Sequence, residues 1–410
     1  MHFGIRCTRC DATTTERHRS RCAACGGTLG FTYERPRCWP AGASRMWDHA
    51  ELLPIPPDVE PVTLGEGGTP LVAAAGMRGA RVFWKNEGAN PTGSQKDRAI
   101  SVAMTHARSI GAARIAVAST GSVGLACAAY SAKARLPCLI LMPRGTPAER
   151  LTPMLAFGAT VVAVDATFEA IETLLRSLDD SWFQASTIAA LSPYQAEGPK
   201  TIAYEIVAQL DAAPDWMVVP VGGGGTLAGI WRGFEDLHRL GRIQRLPRMV
   251  GVQTRTFNAL ELAMARGLRT MDELASIAAD ERLETIARNL KHGVPPDATG
   301  ALRALRDSGG CAISVDEAAI RAWHSRLAAE EGILAEPSSA AAPAGIDTLL
   351  ARGVIAPGER VVALITGSGL REPSALPRGE PIAMPGSLDA ADLDRLVPRR
   401  GPPTSNRETS

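Results

Sequence analysis

One lysine in this chain is placed for covalent chemistry. Lys96 lies in the run Asn90-Pro91-Thr92-Gly93-Ser94-Gln95-Lys96-Asp97-Arg98, where Asn-Pro and Thr-Gly are turn-forming pairs. Ile100, Ala103, Met104 and Ala107 then recur at helical spacing, which puts the lysine at the start of a helix. An amine fixed there, with backbone N–H groups clustered nearby, suits a Schiff base with an aldehyde cofactor. A lone lysine at a helix start is more often a solvated surface charge, so the reading needs partners elsewhere in the chain.

Three other loops supply them. In Val218-Val219-Pro220-Val221-Gly222-Gly223-Gly224-Gly225-Thr226-Leu227-Ala228 a strand enters a glycine run that opens a helix. Backbone N–H groups there can approach an anion closely and the helix start adds favourable partial charge, so a phosphate is the natural guest. The spacing matches neither G-x-G-x-x-G nor the Walker pattern, which argues against a dinucleotide or a triphosphate. A plain flexible loop is the competing reading, but four consecutive glycines cost entropy without a use. In Ala118-Ser119-Thr120-Gly121-Ser122-Val123-Gly124, hydroxyls and free N–H groups suit a carboxylate, although any single Ser or Thr there serves equally well as a helix cap. Thr366-Gly367-Ser368-Gly369-Leu370 places hydroxyls where ligands meet strand ends.

The elements that must position these loops are legible. Apolar, β-branched segments at 81–85, 114–118, 138–142, 160–164, 216–221, 249–253 and 361–365 alternate with alanine-rich helical stretches. That alternation predicts an α/β fold with two mainly parallel sheets flanked by helices. The chain has 410 residues, 45% of them hydrophobic, with 44 basic and 43 acidic side chains for a net charge of +1. It is long enough for two core-bearing domains, and no global field recruits nucleic acid or a lipid surface. The uncharged stretch 115–132 approaches membrane-span length, but Ser119, Thr120, Gly121, Ser122 and Gly124 interrupt it, so it is expected to be strand, polar loop and helix. No signal peptide is evident and a cytoplasmic location is the expectation.

Of eight cysteines, Cys7-x-x-Cys10 and Cys22-x-x-Cys25 form two knuckles with the spacing of a structural zinc ribbon, four thiolates leaving no open coordination position. A knuckle pair held by hydrogen bonds alone is the alternative. Prolines 36, 40, 54, 56, 57 and 61 mark an extended connector, and 398–410, almost devoid of apolar residues, is expected to be a disordered tail.

A lysine, a phosphate cradle, a carboxylate cradle and a hydroxyl pair are what pyridoxal phosphate needs. Over about 62–373 the sequence resembles the threonine synthase group of the pyridoxal-phosphate enzymes related to the tryptophan synthase β subunit. Leu64-Gly65-Glu66-Gly67-Gly68-Thr69-Pro70-Leu71, Lys85-Asn86-Glu87, the lysine turn, Glu197-Gly198-Pro199-Lys200-Thr201, the glycine run, Ser308-Gly309-Gly310, Glu336-Pro337-Ser338 and the Thr366 loop fall in family order, and Cys25-Gly26-Gly27 with Leu29 and Tyr33 resembles the ribbon of many members.

The resemblance implies the fold type II architecture: a ribbon at 1–35, a connector at 36–61, a large cofactor domain from 62–98 and 205–375, a small substrate-carboxylate domain at 99–204, and an extension at 376–410. It implies that Lys96 captures the cofactor aldehyde and moves the substrate α-proton. Gly222, Gly223, Gly224, Gly225 and Thr226 hold the cofactor phosphate, Ser119, Thr120 and Gly121 the substrate carboxylate, Ser122 the ring hydroxyl and Thr366 the ring nitrogen. A hydroxyl at that nitrogen does not force its protonation, which favours elimination and replacement over transamination. A homodimer acting on a small amino acid, classically O-phosphohomoserine giving threonine and phosphate, is the family default.

The chain departs from the family pattern in three places. Ser122 stands where Asn is usual and Gln95 where Phe is usual. In Ala189-Ala190-Leu191-Ser192-Pro193-Tyr194-Gln195 the Asn-Ser pair and Arg that grip the substrate phosphate are replaced by Ala189, Ala190 and Gln195, leaving Lys200 or Arg150 to compensate. A serine or threonine dehydratase or a β-replacement synthase is therefore carried as the alternative. A non-catalytic paralogue and a ribbon that binds nucleic acid are weaker ones; the ribbon's Arg6, Arg9, Arg17, Arg19 and Arg21 have few aromatic neighbours.

Overall fold

Buried Phe3, Ile5 and Cys7 alternate with exposed Gly4 and Arg6, the period of a half-buried strand. In the computed structural model, which describes residues 2–17, 19–34, 45–75, 77, 79–166, 168–179, 181–280 and 282–376, this strand, β1 (Phe3–Cys7), pairs antiparallel with β2 (Thr13–Thr14) and β3 (Leu29–Tyr33). The ribbon docks through Tyr33, whose hydroxyl donates to Glu197 at 2.8 Å while its ring faces Lys200 Nζ 3.7 Å from the centroid.

The chain then forms β4 (Leu71–Ala73), β5 (Arg81–Asn86) and α1 (Lys96–Ser109). It continues through β6 (Arg114–Ala118), α2 (Ser122–Ala134), β7 (Cys138–Pro143), α3 (Ala148–Ala156), β8 (Thr160–Val164), α4 (Phe168–Arg176) and β9 (Trp182–Gln184). These strands make a four-stranded parallel sheet in the order β8-β7-β6-β9. After α5 (Thr201–Leu210) come β10 (Trp216–Pro220), α6 (Gly225–Arg239), β11 (Arg248–Thr254), α7 (Ala259–Arg266), α8 (Met271–Leu274), α9 (Ala298–Asp307), β12 (Cys311–Val315), α10 (Glu317–Ala329), α11 (Ala341–Ala351) and β13 (Arg360–Ile365). A six-stranded sheet has the order β12-β11-β10-β13-β5-β4, parallel except for β4 at its edge.

Every residue of β10 and all of β13 after Arg360 are buried, as expected for parallel strands covered on both faces. Each strand read from the sequence is present within two residues of its expected ends, and β4, β9 and β12, with the three short strands β1, β2 and β3 near the start of the chain, are additions. Strand register places the loops after β10 and β13 side by side, since Trp216 pairs with Val361. Chain contacts separate Met1–Ala375 from Leu376–Ser410, and every strand and helix named above lies in the first unit. The tail expected over 398–410 and the connector's 36–44 lie outside the described residues. Among described residues no helix is long and apolar enough to cross a membrane.

Helix α1 is anchored by a buried charge set. Arg98 contacts Glu87 Oε2 at 2.7 Å and Glu205 Oε1 at 2.6 Å, and Lys85 contacts Glu205 Oε2 at 2.7 Å. The four side chains carry two positive and two negative charges and are at most 1% exposed.

Candidate active site

The lysine turn is tied to the loop after β13 by backbone. Gln95 N donates to Thr366 O at 3.0 Å and Ser368 N to Gly93 O at 2.8 Å. Gly93 has φ +79°, and a Cβ there would meet Arg371 Cδ at 2.8 Å, so the close approach needs glycine. Asp97 holds the turn shut by accepting from Thr92 N at 2.7 Å and from the Thr92 hydroxyl. Lys96 is thereby fixed as the first residue of α1 and is half-buried. Burial draws its amine below the ordinary lysine value of 10.5, while the nearby Asp297 and Glu336 carboxylates pull it back up.

The glycine run leaves β10 and opens α6. Gly224 adopts the left-handed conformation with φ +92° at the helix cap. Among the described residues, the N–H groups of Gly222, Gly223, Gly224, Gly225 and Thr226 meet no protein acceptor. These are orphan donors of a loop and a helix start, the kind of group an anion site uses. The cradle also has no room for side chains: a Cβ on Gly222 would fall 2.2 Å from Asn289 O and one on Gly225 2.6 Å from Asp297 Oδ2. Asp297 N donates to Gly223 O at 2.8 Å, and its Oδ1 accepts from Ala189 N at 3.0 Å. Burial pushes the Asp297 carboxyl up to about 6.

In the hydroxyl loop after β6, Ser119 Oγ accepts from Gly121 N at 3.2 Å and Gly124 N at 2.9 Å, so it braces the start of α2. Thr120 O faces Arg150 Nη1 at 3.5 Å, and Ser122 Oγ accepts from Arg371 Nη2 at 2.7 Å. Thr366 Oγ1 donates to Glu336 Oε1 at 2.8 Å. The structure thus brings Gly93 of the lysine turn, the hydroxyl loop and the Thr366 loop around Arg371, with Asp297 and Glu336 as the acids that bear on Lys96 and the glycine cradle beside Asp297.

A family model described as pyridoxal-phosphate dependent enzyme matches residues 62–367. The chain belongs to the pyridoxal-phosphate-dependent enzymes. It is 36% identical over 408 residues to a protein of Methanosarcina acetivorans named threonine synthase, covering 95% of this chain and 97% of that one. A threonine synthase of Synechocystis is 37% identical over 327 residues, 78% of this chain and 81% of that one. Among solved structures, maize serine racemase superposes with a TM-score of 0.62 at 20% identity, covering 73% of this chain and 88% of that one, and supports the fold alone.

Pyridoxal phosphate fits a lyase site built in this way. Its phosphate dianion matches the free N–H groups of the cradle, and its aldehyde needs an amine of lowered proton affinity. Replacing Gly222 with alanine is expected to force the loop off Asn289 at a cost of about 1–3 kcal/mol. Fluorescence titration of the cofactor-free protein with pyridoxal phosphate should show affinity weakened roughly tenfold or more.

Several functional side chains carried no local signal. Arg371 meets Ser122 across 249 positions of sequence. Asn289 donates to Glu336 Oε2 at 3.0 Å from a segment with no regular motif, and Asp297 reaches the cradle from the start of α9. Two expected compensations fail for physical reasons. Lys200 is fully buried against Glu197 at 2.8 Å and Asp236 at 3.2 Å under the Tyr33 ring, so it has no reach into the site. Arg150 borders the hydroxyl loop, but Glu372 neutralises it at 2.6 Å. Gln195 is buried with neither amide atom hydrogen-bonded.

The four ribbon cysteines also converge, their sulfurs all lying within 4.8 Å of one another. The backbone N–H groups of Arg9 and Cys10 draw the Cys7 thiol down to about 6, towards the thiolate a metal requires.

Proposed function

We propose that this lyase is of threonine-synthase type, taking O-phosphohomoserine and water to threonine and phosphate. The observation that carries the reading is Lys96, an amine of lowered proton affinity held at a helix start within the field of Asp297 and Glu336, together with relatives of that name matching over nearly the full chain. Bound to Lys96 through its aldehyde, pyridoxal phosphate supplies an electron sink for a carbanion at the substrate Cα.

The chain's own residues do the rest. The N–H groups of Gly222, Gly223, Gly224, Gly225 and Thr226 hold the cofactor phosphate. Thr120 presents its N–H group and hydroxyl to the substrate carboxylate, while Ser119, which takes up the Gly121 N–H at 3.2 Å, keeps the loop in shape. Ser122 and Thr366 orient the cofactor ring from its two polar edges. Lys96 Nζ, once released to the neutral amine, takes the α-proton and returns protons to the carbon skeleton. Asp297 pins the 187–190 loop through Ala189 N and so closes the wall beside the phosphate cradle. Residues 62–98 with 205–375 and residues 99–204 act as cofactor and substrate domains, an assignment supported by the division of the strands into two sheets.

A second reading is a serine or threonine dehydratase or a β-replacement synthase. Ala189 and Ala190 offer no side-chain donors, and Lys200 and Arg150 are already paired. The test is to incubate the cofactor-loaded enzyme with O-phosphohomoserine, serine, threonine, phosphoserine and acetylserine. Phosphate and threonine from the first compound support the leading reading. 2-Oxo acid or exchange products from the others, with no reaction of phosphohomoserine, select the second. If borohydride fixes no cofactor to Lys96, both fall.

The ribbon is read as a structural Zn²⁺ site of Cys7, Cys10, Cys22 and Cys25, supported by their convergence. One zinc per chain is expected by elemental analysis. Cys22→Ser should remove it and abolish amide protection in β1 and β3. A cytoplasmic homodimer completes the reading and rests on the family resemblance.

A further inference from the structure

The hydroxyl of Thr366 is not free to choose its hydrogen-bond role. Its oxygen lies 2.8 Å from Glu336 Oε1 and 2.9 Å from Ser339 Oγ. Glu336 is 2% exposed and also accepts, at Oε2, from Asn289 Nδ2 at 3.0 Å and Arg371 Nη1 at 3.2 Å. A carboxyl group surrounded by these three donors, one of them a guanidinium, serves as an anionic acceptor with no proton to give. Thr366 has one proton, and it is committed to Glu336. Ser339 accepts from Gly367 N at 3.2 Å, and its own proton has Thr366 Oγ1 as the nearer acceptor, with Gly367 O at 3.4 Å. What Thr366 can offer a ligand is therefore a lone pair.

We propose that Glu336, acting through Thr366 as a positioning residue, makes the partner of the cofactor's ring nitrogen an obligate acceptor, so that bound pyridoxal phosphate keeps a proton on that nitrogen. The inference rests on the reading that Thr366 faces the ring nitrogen. It revises the expectation drawn from a hydroxyl alone, which donates and accepts with equal ease and does not force the nitrogen's protonation. The proton comes from solvent as the ring nitrogen takes it up, and no further reactant is needed. A cationic ring withdraws electrons more strongly. Loss of a γ-leaving group needs that strength, because a proton must leave Cβ as well as Cα, whereas β-elimination needs only the first removal.

The test uses the full-length enzyme loaded with pyridoxal phosphate labelled with ¹⁵N in the ring, read by NMR at neutral pH. The wild-type ring nitrogen should resonate in the pyridinium range. In Glu336→Gln the amide keeps its oxygen towards Asn289 and Arg371, both donors, and turns its NH₂ towards Thr366. The hydroxyl then accepts from the amide and donates to the ring, so the resonance should move to the free-base range. Exchange of the α-proton of O-phosphohomoserine in deuterated water should slow roughly 10- to 100-fold, the weight of one charge-assisted hydrogen bond. A free-base resonance in the wild type overturns the proposal without need of the variant, and so does a Glu336→Gln resonance that stays in the pyridinium range. Borohydride treatment of the same wild-type sample separates the two levels. Cofactor fixed to Lys96 beside a neutral nitrogen defeats this inference alone, whereas no fixation defeats the functional reading beneath it.

Discussion

Lys96→Ala is expected to leave a folded protein whose turnover has dropped by roughly 10⁴-fold or more. Two roles vanish together, the covalent hold on the cofactor and the amine that moves the α-proton, and no neighbouring base replaces them. Asp297 and Glu336 are committed to Ala189 N and to the Thr366, Asn289 and Arg371 donors. The turn should survive, because Asp97 and the backbone bonds to Thr366 and Ser368 hold it without the lysine side chain. The cofactor should still bind through the glycine N–H groups, with its absorbance that of the free aldehyde and no borohydride-stable adduct. Lys96→Arg should fail equally, since a guanidinium does not give up its proton at accessible pH. Wild-type cofactor capture supplies the complementary measurement. Only the neutral amine attacks the aldehyde, so the reconstitution rate should rise with pH and level off below the 10.5 of an ordinary lysine, because burial disfavours the charged form. A rate still climbing past that value would contradict the site geometry.

What the sequence made legible was local. The lysine turn, the glycine run and the hydroxyl loops are each contiguous, and a strand feeding a loop feeding a helix leaves its mark within a dozen or so residues. The strands around them announce themselves because parallel strands are apolar on both faces. β9 escaped notice because Trp182–Gln184 is too short to show a period, and β12 because Ser314 breaks its apolar run. The chemistry of the loops is not local. Whether Thr366 donates or accepts is decided by Glu336, thirty positions earlier, and by two donors from separate segments that occupy the other Glu336 oxygen. Lys200 shows the converse error: by position a plausible phosphate ligand, it is consumed by Glu197, Asp236 and a ribbon tyrosine that no spacing rule connects to it. Family order identified Glu336 and Lys200 as notable residues, but only three-dimensional partners assign their charges.

Glu205→Ala is expected to cost about 3–5 kcal/mol of stability, because it strands two buried cations at once. The Glu205 carboxylate spans Lys85 on β5 and Arg98 on α1, and also accepts from Gly68 N at 3.0 Å. Removing it leaves Arg98 with one carboxylate, Glu87, beside the Thr201 and Thr69 hydroxyls, and Lys85 with the neutral acceptors Thr69 O and Gln209 Oε1. A urea midpoint that falls with unchanged slope measures the loss. The pH dependence fixes the sign. Although burial opposes ionisation, Arg98 and Lys85 hold the folded-state carboxyl at about 2 against an ordinary 4.5. The ionised form's contribution is therefore fully present above 4.5 and is lost as pH falls towards 2, so the gap between variant and wild type should narrow across that window. The double variant Lys85→Met with Glu205→Met separates charge from packing. It removes one charge of each sign and leaves the Arg98–Glu87 pair intact, so it should be more stable than Glu205→Ala alone. Because Arg98 lies two residues after Lys96 on the same helix, the single variant should also loosen the turn that aims the amine. Slower capture of pyridoxal phosphate by the folded fraction would register that effect, and the charge-balanced double variant should restore the rate. If the double variant is the less stable of the two, buried ion pairing is not what anchors α1.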